Sequence, residues 1–136
     1  MNREEIQKLE AGRVLDSLIA DKLMGFKAIK FLKLYPTRCS GIPSTSDREE
    51  KRILIPLYSL ILEDAWKLFK KLREIDSHWC PSIYWDDDDG DSDGYWSVVL
   101  HYYGETVEEY KSYSAYADTE ALAICRAIMM YLDDVK

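Results

Sequence analysis

The chain has 136 residues, 47% of them apolar and 12% aromatic, and carries 18 Lys+Arg against 25 Asp+Glu for a formal charge of −7. That length suits one domain able to bury roughly two-thirds of its unfolded surface, and the apolar content excludes a disordered chain. Split after Ile75, the first part holds 15 basic and 11 acidic residues and the second 3 and 14, a polarisation that excludes a generic duplex-DNA binder, whose affinity comes from neutralising phosphates.

Asn2 and Glu5 have the spacing of a helix capping box, so a helix is expected from about residue 3. Val14, Leu15, Leu18, Ile19 and Leu23 then recur at helical spacing, with Asp16, Asp21 and Lys22 largely off that stripe. Gly25 is the expected stop, and Phe26 behind it can fold back on the last turn. Residues 26–35 fit either a helix or an edge strand. Residues 36–52, with two prolines, serines and mixed charge, read as a loop or insertion extending to about residue 56 in a single domain over 1–136, with a short strand at Ile53–Ile55.

Ser59 is the expected cap of the next helix, whose face carries Leu62, Ala65, Trp66, Phe69 and Leu72. After Asp76 the period becomes two. Trp79, Pro81, Ile83 and Trp85 alternate with Cys80, Ser82 and Tyr84, and Trp96, Val98, Leu100 and Tyr102 with Ser97, Val99, His101 and Tyr103. Two strands joined by an acidic hairpin loop at 86–94 follow, with Pro81 at an edge or bulge and a third strand near Val107–Ala115. Asp118 or Thr119 caps a last helix carrying Ala121, Cys125, Ile128, Met129 and Leu132. The predicted fold is α+β: a layered α/β/α sandwich with a three-stranded antiparallel meander and the order α-α-β-β-β-α.

The first residues have no apolar segment behind a basic start, and no run reaches the roughly 18 apolar residues of a spanning helix. A cytoplasmic protein without a membrane segment is expected. Cys39, Cys80 and Cys125, odd in number and widely separated, read as reduced thiols.

Three segments carry a family likeness: MNREEI with AGRVLDSLIADKLMG, PLYSLILEDAWKLFKKLRE, and YADTEALAICRAIMMYL. Together they resemble the phage ABA sandwich domain, a family of small phage and prophage proteins. The resemblance spans nearly the whole chain and implies a layered α/β/α arrangement and a phage context. It brings no catalytic residues. The long basic stretch 26–56 and the loop DDDDGDSDG depart from the family pattern.

Asp89, Asp91 and Asp93 with Gly94 form the front half of a calcium loop, in which alternating carboxylates converge on one cation, but Leu100 stands where the bidentate Glu is required. Asp86, Asp87, Asp88, Asp89, Asp91 and Asp93 alternatively form a solvated turn, a mimic of a phosphate array for a basic groove on a host protein, or a partner for the basic 27–38 segment of the same or a second subunit. Lys27, Lys30, Lys33 and Arg38, interleaved with Phe26, Phe31 and Tyr35, suit a small anionic, phosphate-bearing ligand, a nucleic-acid single strand or simply an amphipathic element.

The ring series Trp79, Tyr84, Trp85, Tyr95, Trp96, Tyr102, Tyr103, Tyr110, Tyr113 and Tyr116 exceeds what one face of a short sheet needs, which suggests an interface or a ligand platform with Trp85, Trp96 and Tyr103 in it, edge protection and ordinary packing being the alternative. Phosphate-loop, metalloprotease and nucleophile-elbow motifs are missing, and two isolated histidines limit acid–base chemistry. The expectation is a non-enzymatic phage accessory protein without a cofactor, calcium aside, that binds a host protein or sequesters a nucleotide-like ligand. The alternatives are a self-assembling structural protein or an enzyme acting on nucleotides.

Overall fold

The computed structural model describes residues 1–87 and 94–135. Asn2 opens the first helix as its spacing predicts: its side-chain oxygen accepts the Glu5 N–H at 2.9 Å, and α1 runs Arg3–Gln7. Helix α2 spans Arg13–Lys22. It ends ahead of Gly25, which takes φ +74°, and the Phe26 N–H reaches back to the Ala20 carbonyl at 2.9 Å. Leu15, Ile19 and Leu23 are buried, but Val14 is exposed. Asp16, which the helical stripe leaves outside, is 1% exposed, because Ser59 meets it from the following segment.

The ambiguous stretch is a strand, β1 (Lys27–Phe31). It pairs antiparallel with β2 (Cys39–Ile42), which pairs with β3 (Ile53–Leu54), making a first three-stranded sheet. Ala28 at φ +50° accompanies a register shift between Lys27 and Lys30, a bulge that twists this short edge strand. Composition marks 36–56 as loop, yet all four residues of β2 are buried. Two flanking strands supply the ladder partners that local sequence does not reveal.

Helix α3 runs Leu62–Ile75 and buries Ala65, Leu68, Phe69 and Leu72. Trp66, expected on that face, is 46% exposed and meets Phe69 edge-on. Ser59 does not cap α3; the residue before the helix is Ile61, and the Asp64 carboxylate of the first turn accepts the Leu57 N–H at 3.0 Å instead.

The second sheet has the order β4-β5-β6, from β4 (Trp79–Asp86), β5 (Tyr95–Tyr102) and β6 (Lys111–Ala117), all antiparallel. Pro81 sits in the edge strand β4, where its missing N–H leaves no central ladder bond unmade. A short 3₁₀ turn at Val107–Glu109 occupies the start of the predicted third strand, which begins at Lys111. The inward residues Trp79, Val98, Leu100, Tyr113, Ala115 and Ala117 are buried.

They pack on α4 (Glu120–Asp134), whose Thr119 cap accepts the Leu122 N–H at 3.3 Å. Helix α4 also contacts α1, α2 and α3, so its buried residues run around the helix, from Ala121, Ile124, Cys125 and Ile128 to Ala123, Ala127 and Met130. The chain is an α+β protein with α4 at its centre. No helix is long and apolar enough to cross a membrane among the described residues.

Candidate ligand-binding site

The turn between α3 and β4 builds a concave site with mainly aromatic walls. Asp76 ends α3, its N–H bonded to the Leu72 carbonyl at 2.9 Å. Its Oδ1 accepts the His78 N–H at 3.0 Å and lies 2.6 Å from His78 Nδ1. Such an Asx turn reverses the chain using the aspartate's own side chain, and here it delivers Trp79 as the first, inward-facing residue of β4. In register across the sheet lie Trp79, Tyr102 and Lys111, and the next inward row brings Tyr113.

These residues, with Ile75, Asp76, Tyr131 and Val135, line a pocket of about 270 Å³ at the end of the sheet. Trp79, only 5% exposed, is its base. The Tyr102 and Tyr131 rings meet Trp79 edge-to-face at centroid distances of 5.1 and 4.8 Å, and Tyr113 lies 5.8 Å from Tyr131. Edge-to-face pairs contribute about 0.5–1.5 kcal/mol each beyond area burial, which favours this arrangement of the rings.

The pocket's polar groups are fixed by hydrogen bonds. The Tyr102 hydroxyl donates to Asp76 Oδ2 at 2.8 Å, and the Tyr113 hydroxyl donates to Asp134 Oδ2. Asp76 is held down to about 2, first by the His78 backbone N–H, then by the His78 ring and the Tyr102 hydroxyl. The bond to Asp76 raises the Tyr102 phenol. Burial, followed by the bond to Asp134, pushes Tyr113 up to about 12. Near neutral pH the carboxylate is therefore ionised and the phenols are protonated.

The residues singled out from sequence are spread over the surface. Lys27 pairs with Asp47, Lys30 lies 4.0 Å from Glu49, and Lys33 is exposed after β1. Arg38 turns inward and donates to the Ile55 carbonyl at 2.9 Å, so the four cations do not converge. Trp85 and Trp96 meet edge-on at 5.3 Å beside the acidic loop, whereas Tyr103 stacks on His101 at the opposite end, roughly 20 Å away by strand rise. Asp86, at the end of β4, receives the Tyr95 hydroxyl at 3.3 Å, and Asp87 is exposed. Asp88, Asp89, Asp91 and Asp93 lie outside the described residues, and the calcium reading with them. Among the described residues no three His, Cys, Asp or Glu side chains are grouped to hold a metal ion.

The pocket draws Trp79, Tyr102 and Tyr113 from the aromatic series. Sequence reasoning missed Asp76, Lys111 and Tyr131. The signals for them were weak: an Asp-x-His at a helix end, and a Tyr three residues beyond Ile128 on the last helix.

The outward face of the same sheet carries the rows Tyr84–Ser97–Tyr116, Ser82–Val99–Ser114 and Cys80–His101–Ser112. Tyr84, Tyr103, Tyr110 and Tyr116 are each about half exposed, and the Tyr110 hydroxyl lies 2.8 Å from His101 Nδ1. No family model matches the chain, and no curated protein or solved structure matches it.

Proposed function

We propose that the protein is a non-enzymatic binding protein of phage or prophage accessory type, holding a small ligand in the pocket between Asp76, Trp79, Tyr102, Lys111 and Tyr131. The observation that supports this most is the pocket's preorganisation: its rings are locked edge-to-face and its carboxylate is oriented by three hydrogen bonds. Sites organised before binding lose less entropy when a ligand enters. With Asp76 near 2 and Tyr102 raised, neither group exchanges protons readily near neutral pH, which suits recognition better than acid–base catalysis. The three segments that resemble phage ABA sandwich proteins support the phage context and a cytoplasmic setting in an infected cell.

Native mass spectrometry of protein purified from infected cells tests the reading. A small adduct on the wild type that Tyr131→Ala lacks is the expected result; an adduct retained equally by the variant refutes the pocket assignment.

A second reading is host-protein docking on the outward face of β4–β6. Its support is the combination of half-exposed tyrosines with Ser82, Ser97, Ser112 and Ser114, since Tyr gives rigid contact area and Ser adaptable hydrogen bonds at recognition surfaces. Capture of a host protein that survives Tyr131→Ala but is lost in Tyr84→Ala/Tyr116→Ala favours it over the pocket.

A further inference from the structure

The geometry points to a small organic cation, an alkylated ammonium or amidinium head group, as the occupant of the Asp76–Tyr102–Trp79 pocket; this rests on the ligand-binding reading above. Three observations converge on that class. First, the walls are aromatic, and a ring's negative face attracts a cation within about 6 Å of its centroid. Second, the Tyr102 and Tyr113 hydroxyl protons are already given to Asp76 and Asp134. Neither remains to donate to an anion, and donation to a carboxylate makes each phenol ring richer in electrons. Third, the field is negative: Asp76 lines the pocket, Asp134 stands behind Tyr113, and Glu105 and Glu109 act on the Tyr102 hydroxyl. Among the described residues, Lys111 in the wall and Arg3 acting on Tyr113 from α1 stand against these carboxylates, with His78 adding charge only when protonated.

Size and hydrogen bonding fit the same class. About 270 Å³ lies just below the roughly 300–1,000 Å³ of drug-sized ligand sites, which suits a compact head group. Asp76 keeps acceptor capacity, because an ionised carboxylate has about four lone-pair positions and three are engaged. An ammonium or amidinium N–H or N–CH group fills that remaining position while its alkyl surface covers Tyr102 and Tyr131.

The test titrates the full chain with choline, with its neutral isostere 3,3-dimethylbutan-1-ol and with inorganic phosphate, read by calorimetry and by the Trp79 indole resonance. Choline is expected to bind about tenfold or more tighter than the alcohol. Asp76→Asn should erase most of that preference, so that choline and the alcohol bind the variant within a few-fold of each other. Lys111→Gln, which removes an exposed like charge, should strengthen choline binding several-fold. A purely structural role for Lys111 predicts no such gain, and the variant keeps the pocket's aromatic walls. Equal binding of choline and the alcohol, or phosphate binding lost in Lys111→Gln, overturns the cation assignment and leaves a ligand pocket standing. If no probe shifts the Trp79 resonance, the cation assignment fails, while the pocket reading is decided separately by the Tyr131→Ala adduct.

Discussion

The Ser59 hydroxyl donates to Asp16 Oδ1 at 2.7 Å, and the Ser59 N–H donates to the same oxygen at 2.8 Å. Both residues are essentially buried. The Ser59 oxygen also accepts the Gly12 N–H at 2.9 Å, so one serine ties the start of α2 to the segment before α3. Burial raises the Asp16 carboxyl, opposed by the Ser59 bonds and by Arg38. The folded state thus holds this proton to higher pH than the unfolded chain does, and the associated stability declines as pH rises above about 4 and through the raised value.

Asp16→Ala strands the buried Ser59 N–H and leaves its hydroxyl only the Gly12 carbonyl at 3.4 Å, and should destabilise the fold by about 1–3 kcal/mol in urea unfolding. Asp16→Asn keeps an acceptor oxygen and removes the charge. The stability of Asp16→Asn relative to wild type should therefore improve as pH rises from 4 to 8. A flat difference across that range contradicts the burial argument.

Asp76 behaves in the opposite sense. Its carboxyl is held down to about 2 in the fold against about 4 in an unfolded chain. Its contribution is therefore fully present above about pH 4 and is lost as pH falls through about 2. Asp76→Asn should lower the thermal midpoint at pH 7, and the gap to wild type should close between pH 4 and pH 2. Tyr102→Phe should reproduce part of the loss at neutral pH, since it removes the 2.8 Å bond.

The three cysteines should separate cleanly in a thiol assay. Cys80 is exposed, whereas Cys39 and Cys125 are buried, and burial raises both buried thiols, Cys125 well above its usual range. Because the thiolate is the reactive form, one thiol should react rapidly in native protein and three after unfolding. Cys80→Ser should abolish the rapid phase.

Gly94 takes φ +80°, and a Cβ there would come within 2.3 Å of Trp85 Cζ2. Positive φ alone costs a non-glycine residue about 1–2 kcal/mol. Gly94→Ala should exceed that loss in urea unfolding and shift the tryptophan emission. Combining it with Trp85→Ala should recover the excess, because residues in contact couple in a double-mutant cycle.

Period and punctuation alone locate the Asn2 cap, the stop at Gly25, helices α2, α3 and α4, a cap at Asp118 or Thr119 and the alternation of β4 and β5. Each is a local matter: helix and strand impose 3.6- and 2-residue repeats on the side chains they bury, and caps act within one turn. Ser59 shows where locality ends, because its position before α3 predicts a cap while its side chain is engaged 43 residues away at Asp16. The buried strand β2 is a second case. Its residues Cys39–Ile42 carry no alternating pattern, and only the ladders on both sides explain their burial.

The candidate site follows the same division. An excess of aromatic residues is visible in the sequence, but which rings meet depends on the β4–β5–β6 register and on where α4 ends. That register places Trp79, Tyr102 and Lys111 in one row and sends Trp85 and Tyr103 to opposite ends of the sheet. Local repeats marked most of the inward residues, though not the exposed Val14 and Trp66 or the buried Asp16. Tertiary packing decided which of those inward residues share a pocket, because contacts between distant segments depend on how whole elements stack.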